Sequence, residues 1–456
     1  MLSKFSENFT LNTYFHKALC GVLLLNIFRV GSRLLISIIL VHVLTTSDYG
    51  LYVYIITLLN TITSFSSMGI PNLSSREVAI FVTQKQWGKL KSYIIQAHKL
   101  IIINIVVVIL LAFLCLHLIF THKFSSRIIN ISMLSMLLLP FLSLGLVRSG
   151  ILRGLKKPVL GKLPEYCVIP GTFMLLLTLN FLLFHKNYFN ITSTLLLQLS
   201  SILIGFLVGM VLLLKKLPSQ VFKRHMQTTH LHVTLKKALP FLCLTGISLI
   251  NARIDILLLG FLRPSADIGV YQIVILFTQT LILPLMIYNT VASPMIADLH
   301  YKKSKRELQK IVIFGTRITF LFTFLGVLFL VFMGHWILEF IYKPFVADKG
   351  YFSLIVLAIA QLINVIFGAT AVILNMTGHE STTVRVLILT VILNIAFNLL
   401  LVPFFGISGS AIATAISIVF GKCCLYYHVY HKVGINSCIS YGAKKILKKY
   451  WRIVKD

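Results

Sequence analysis

Residues 18–43 read ALCGVLLLNIFRVGSRLLISIILVHV, an apolar run that carries Arg29 and Arg33 near its middle. A helix needs about 20 predominantly apolar residues to span the hydrocarbon core of a bilayer, and this run is long enough. It is too long for the core of a signal peptide, and no A-x-A-like cleavage site follows it, so it reads as a retained helix with nothing removed. The rest of the chain supports that reading: 456 residues, 57% hydrophobic and only 12% charged, with mean hydropathy +0.92. A water-soluble fold could not cover so much apolar surface. Further runs of similar length lie at 50–69, 94–119, 128–151, 159–184, 193–214, 238–262, 270–292, 311–333, 353–375, 382–404 and 406–430, so the sequence predicts an all-α polytopic membrane protein of roughly twelve transmembrane helices.

Charge sets the expected orientation, because Lys and Arg accumulate in short cytoplasmic loops. With the amino terminus inside, most of the 42 basic residues fall in the amino terminus, the even-numbered connections and the carboxyl tail. Both termini are therefore expected in the cytoplasm. The net charge of +30 is met by topology and by attraction to anionic lipid, which leaves no call for nucleic acid as a partner. The seven cysteines are odd in number, lie mostly within spans and show no C-x-x-C. Neither a disulfide framework nor a zinc site is expected, and the reading calls for no metal and no cofactor.

The longest loop, between positions 215 and 237, contains no Asp or Glu. A membrane glycosyltransferase or polymerase needs carboxylates as base or metal ligand, so an enzyme is not expected. Two internal similarities point to a repeat. TTSDYGLY (45–52) after the first span matches PSADIGVY (264–271) after the seventh, and ILRGLKKP (151–158) closing the fourth aligns with ILNMTGHE (373–380) closing the tenth. The expected architecture is two six-helix bundles, 1–215 and 238–430, related by a pseudo-two-fold axis along the membrane normal. A cytoplasmic linker at 216–237 joins them and a basic cytoplasmic tail follows at 431–456. The Asp-Gly-Tyr corners read as architecture, with Asp capping the next helix and Gly turning the chain.

Smaller features fit this frame. Pro140, Pro170 and Pro284 lie within spans and should kink them. Gly205-x-x-x-Gly209 and GISGSAIATAIS from position 406 place small residues where helices can pack closely. The tail SYGAKKILKKYWRIVKD reads either as a helix on an anionic membrane surface or as a solvated basic segment.

The charges inside the membrane carry the functional signal. Arg29 and Arg33 are four apart and share a helix face, about 6 Å apart along the axis. A mid-bilayer arginine costs roughly 2.5 to 3.5 kcal/mol even on the insertion scale, so both are expected to face a wet interior. The seventh span carries Arg253 and Asp255. At deep positions three arginines then stand against one aspartate, and guanidiniums can fork onto phosphate oxygens. The competing reading pairs Asp255 with Arg29 or Arg33 structurally; Arg253 and Asp255, two apart, point to nearly opposite faces. Amides recur at helical spacing: Gln361 and Asn364, Asn394 and Asn398, Asn251 and Asp255, Gln272 and Gln279. Each could be interhelical glue, while the set suits a polar lumen for a hydroxyl-rich ligand, with Asn26, Gln279, Gln361, Asn364, Asn394 and Asn398 as lining candidates.

The order and spacing of LTTSDYGLYVYI, GIPNLSSREVA (69–79), ILRGLKKP and RIDILLLGFLRPSADIGVYQI (253–273) resemble those of the polysaccharide and O-antigen flippases of the multidrug/oligosaccharidyl-lipid/polysaccharide exporter superfamily, over essentially the whole chain. The resemblance implies translocation of an undecaprenyl-pyrophosphate-linked oligosaccharide, an O-antigen or capsule repeat unit, across the bacterial inner membrane by alternating access. It also implies a proton or sodium gradient as driver, and membrane lipids and polysaccharide assembly proteins as partners. Basic residues of the first and seventh helices line a cationic cavity in such transporters; the matching positions are Arg29, Arg33 and Arg253, expected to bind the substrate pyrophosphate. Asp255 is the candidate for coupling or an ion pair. The alternative is an ion-coupled exporter of small organic cations; such relatives rely on membrane carboxylates, and here only Asp255 reads as deep.

Overall fold

The computed structural model describes residues 2–115, 131, 133–184, 190–223 and 231–439. The tail sequence from position 440 and residues 224–230 of the expected linker lie outside the described residues. By its contacts the chain falls into two units, Met1–Arg253 and Ile254–Asp456. Among the described residues the secondary structure is helical, without strands. Eight helices there are each long and apolar enough to cross a membrane, or up to ten when each of two bent pairs counts as one span.

The amino-terminal unit begins with α1 (Leu2–Val43), α2 (Thr46–Ser66), α3 (Ile70–Thr83) and α4 (Trp87–Cys115). Thr45 caps α2: its hydroxyl accepts from the Asp48 amide at 3.1 Å and donates to the Asp48 carboxylate at 3.0 Å. The corner therefore differs from the expectation in which Asp caps and Gly turns. The helix starts ahead of the aspartate, and Gly50 is buried inside it. Helices α2 and α3 meet at a 43° bend, where Met68 and Gly69 take positive φ and Pro71 opens α3. The break leaves the Ser66 carbonyl without its helical donor, and Asn104 of α4 supplies one at 2.7 Å. An irregular backbone inside a membrane is tolerated only when such groups are satisfied.

The unit continues with α5 (Leu139–Gly154), α6 (Pro158–Leu163), a π-helical turn at Pro164–Val168, α7 (Ile169–Phe184), α8 (Ile191–Lys216) and the short α9 (Ser219–Lys223). Pro140 and Pro170 sit where expected of helix disruptors, one at the start of α5 and one just after the π turn. A Cβ at Gly150 would run into the Pro71 carbonyl, and one at Gly154 would approach Val78 Cβ to 2.7 Å. These glycines let α5 press onto α3, over a core that includes Leu59, Ile70, Leu73, Ile101, Val147 and Ile151.

The division between units falls inside α10 (Leu231–Leu262). The carboxy-terminal unit holds α11 (Ser265–Leu281) and α12 (Leu283–Tyr301), bent by 46° where Pro284 opens α12. Here Thr323 donates to the Leu281 carbonyl at 2.9 Å. The two D-x-G-x-Y corners thus each open a bent helix pair whose freed carbonyl is met by a polar side chain of the following long helix. That helix is α13 (Lys305–Ile341) in this unit, followed by α14 (Pro344–Ile366), α15 (Thr370–Met376) and α16 (Glu380–His428). The runs read at 382–404 and 406–430 lie in the single α16 assignment, interrupted by Gly406 with φ 57° and ψ −129°.

Candidate functional site

Arg29 and Arg33 stand on α1, Arg29 half-buried and Arg33 exposed. Arg29 donates to Asn26 Oδ1 at 3.3 Å, while Asn26 anchors its own amide on the Val22 carbonyl at 2.9 Å. The Arg29 guanidinium lies 4.4 Å from the centroid of the Tyr166 ring, and its buried Nε has no hydrogen-bond partner. Arg29 and Arg253 are close enough to Arg33 to act on it electrostatically, as is Tyr166. The structure thus gathers the three arginines read from the sequence, all of them in the amino-terminal unit. Among the described residues none of the three is ion-paired with a carboxylate.

Tyr166 comes from the π turn Pro164–Val168, closed by the Ile169 amide donating to the Pro164 carbonyl. One extra residue in a helical turn rotates the neighbouring side chains. Glu165, the residue before Tyr166, is ion-paired with Arg148 of α5, whose side chain is 1% exposed. Arg148 also reaches the Gly205 carbonyl at 3.5 Å. Its guanidinium fills the place that a Cβ at Gly209 would take. The Gly205-x-x-x-Gly209 pair therefore does two jobs: Ile169 packs against Gly205, and Gly209 makes room for a cation.

This pair corrects the expectation that Asp255 is the one deep carboxylate and that three arginines stand against it. Glu165, half-buried, lies within the span Pro158–Leu183 and Arg148 within Met133–Gly154, and Glu77 of α3 is buried, 6% exposed. Both members of the Arg148–Glu165 pair lie within two turns of a span end, where a topology count absorbs them into the flanking loop. Lys162, whose Nζ is 5.3 Å from the same Tyr166 centroid, was hidden in the same way.

Asp255 belongs to the carboxy-terminal unit and is 6% exposed. Its Oδ2 accepts from Thr414 at 2.8 Å and from Tyr271 at 3.4 Å, and its Oδ1 from Asn398 at 3.5 Å. Asn398 also donates to Asn394 Oδ1 at 2.8 Å and accepts from Ser410 at 2.8 Å. The partners are neutral, as the two-residue offset from Arg253 leads one to expect. Ser410 and Thr414, four apart in the small-residue stretch after Gly406, share the face that meets the aspartate. Asn394 and Asn398 are buried here, 2% and 0% exposed. Gln361 accepts from Asn364 at 2.8 Å, the Asn364 Oδ1 being buried and unpartnered, and Gln279 is exposed. Tyr271, the corner tyrosine, carries a signal the sequence held only as a repeat.

The sequence profile described as Polysaccharide biosynthesis protein matches residues 20–300. The chain belongs to this family. A MatE profile also matches, over residues 238–400. Among curated relatives, the probable flippase AglR of Haloferax volcanii is 25% identical over 171 residues, 37% of this chain and 36% of the relative. The match spans about a third of the length of that relative. Among solved structures, an inward-facing multidrug resistance MATE family transporter of the MOP superfamily superposes with TM-score 0.75 at 13% identity, over 89% of this chain and 94% of that one. The lipid II flippase MurJ in an inward closed conformation gives 0.69 at 17% identity, over 90% and 86%. A MOP superfamily transporter from Pyrococcus furiosus gives 0.66 at 12%, over 92% and 96%. This polysaccharide biosynthesis protein is therefore a multi-pass, all-α membrane protein with the MOP transporter fold.

Proposed function

We propose that this polysaccharide biosynthesis protein is a flippase that moves a lipid-linked oligosaccharide, an undecaprenyl-pyrophosphate glycan, across a bacterial inner membrane. In this reading it crosses the membrane twelve times with both termini in the cytoplasm, and its two six-helix halves, 1–215 and 238–430, alternate in access without covalent chemistry. The observation that carries the proposal is the gathering of Arg29, Arg33 and Arg253 with no ion-paired carboxylate among the described residues. Cations so placed in an apolar span need an anion, and a pyrophosphate offers oxygens for several guanidinium forks. Asn26, Gln279, Gln361 and Asn364 are proposed to meet the glycan. The amides of Asn394 and Asn398 serve Asp255, which is proposed as the group that takes up the coupling proton or sodium ion within its ring of hydroxyls and amides. Membrane lipids and polysaccharide assembly proteins are the proposed partners.

The test measures membrane abundance and surface polysaccharide together in Arg29→Gln and Arg33→Gln. Loss of a charge from within a membrane span eases insertion, so the expected result is normal abundance with lost polysaccharide, and partial function in Arg→Lys, which keeps the charge but not the fork. Normal polysaccharide in both Gln variants would sink the proposal. Export of small organic cations is the second reading, favoured by Asp255, a buried carboxylate whose hydrogen-bond partners are all neutral. Drug resistance conferred on a sensitive host and abolished by Asp255→Asn would select it.

A further inference from the structure

We infer that Arg29, Tyr166 and Lys162 form one anion-binding unit, in which Tyr166 positions the Arg29 guanidinium and Lys162 is a further contact for phosphate; this rests on the pyrophosphate reading above. In the sequence Lys162 stands near the start of the apolar run 159–184 with nothing to single it out. The structure instead brings its ammonium to 5.3 Å from the centroid of the ring that the Arg29 guanidinium approaches at 4.4 Å. A tyrosine ring attracts each cation through its quadrupole, yet the two cations repel one another, and Arg33 and Arg253 add to that repulsion. The adjacent carboxylate, Glu165, is paired with Arg148 and, among the described residues, with none of these cations. A polyanion held among these groups relieves the repulsion, and Arg29 has the means to bind it. One long bond to Asn26 and an unpartnered buried Nε leave most of its five donors free.

The local backbone explains why one segment serves both purposes. Across the π turn Pro164–Val168, consecutive residues go different ways, Glu165 to Arg148 and Tyr166 to Arg29. Lys162, four residues before Tyr166, lies on the same helical face. The ion pair thus fixes the segment from which Tyr166 holds the guanidinium, and Tyr166 acts through Arg29 as a positioning residue.

The experiment uses the full chain in phosphatidylcholine nanodiscs, with farnesyl pyrophosphate as probe, farnesol as uncharged control and inorganic pyrophosphate as competitor, read by calorimetry and thermal melting. Farnesyl pyrophosphate should bind and farnesol should not. Lys162→Gln should weaken binding about ten-fold and Lys162→Arg should restore it, as expected of one charge-assisted contact. Tyr166→Leu should weaken it about five-fold and Tyr166→Phe should bind like the wild type, since the ring and not the hydroxyl carries the interaction. All should melt as the wild type does. Displacement by inorganic pyrophosphate would support the unit as a reader of phosphates alone, and farnesyl pyrophosphate resisting displacement would support it as a reader of lipid-borne phosphate. Wild-type affinity in both Lys162→Gln and Tyr166→Leu, with Arg29→Gln weakened, overturns this inference and leaves the pyrophosphate reading standing. Wild-type affinity in Arg29→Gln, or no binding by the wild type, overturns both.

Discussion

Gly209 owes its identity to a side chain on another helix, since the Arg148 guanidinium occupies the space beside its Cα. The buried pair that this permits makes a prediction at the scale of single residues. Removing one partner of a buried ion pair leaves an uncompensated charge and costs about 3 to 5 kcal/mol, whereas replacing both by apolar residues is often neutral. Arg148→Met should therefore lower the thermal melting point and membrane abundance sharply, and Arg148→Met with Glu165→Leu should recover most of both. A double variant as unstable as the single one would show that the pair does not act as a unit. Arg29, Arg33, Arg253 and Asp255 stood out in the sequence because charge in the middle of an apolar run is costly. Arg148, Glu165 and Lys162 did not, because near a span end charge is what topology supplies anyway, and the π turn that aims residues 165 and 166 leaves no periodic trace in five residues.

The helices repeat the same lesson with backbone groups in place of charges. Pro284 announces one break, and Pro71, which the sequence did not single out, opens the helix after the other; what makes a break tolerable is a donor from elsewhere in the chain. Asn104 on α4 and Thr323 on α13 supply it, to the Ser66 and Leu281 carbonyls respectively. In the sequence each is one polar residue in an apolar helix with nothing to single it out. Asn104→Leu and Thr323→Val should each destabilise the protein by about 1 to 3 kcal/mol, the usual penalty for leaving a buried acceptor unmet. Thermal melting of purified protein would show it, with Asn104→Gln and Thr323→Ser as the conservative controls. If the apolar variants melt like the wild type, water or a neighbouring donor satisfies the breaks and the side chains are incidental. The D-x-G-x-Y repeat likewise marked the right places for a different reason than supposed: helix starts ahead of bent pairs, with Asp267 held between Arg263 at 3.5 Å and Lys349 at 3.1 Å.

For the molecule as a whole, the path of the chain through the membrane turns on one glycine. Helix α16 runs for 49 residues, roughly 74 Å at the α-helical rise, more than twice the hydrocarbon thickness of about 30 Å. A single crossing centred on the helix would leave apolar residues toward its ends, such as Ile388 and Leu389, 40% and 45% exposed, in water. Gly406 resolves this with a conformation that leaves the helical region, at positive φ where a side chain is strained, and beside Arg263, whose Nη2 would lie 2.7 Å from an added Cβ. A chain that turns back at this break makes 382–404 and 406–430 separate crossings, which is the expectation their hydropathy sets. Sidedness tests this. In a cysteine-free background, Phe405→Cys should react with a membrane-impermeant thiol reagent in intact cells, while Lys303→Cys, in the turn after α12, should react only after permeabilisation. Labelling of Phe405→Cys from the cytoplasmic side alone would make α16 cross once, would reverse the side assigned to everything after it, and would remove the basis for placing the carboxyl terminus in the cytoplasm.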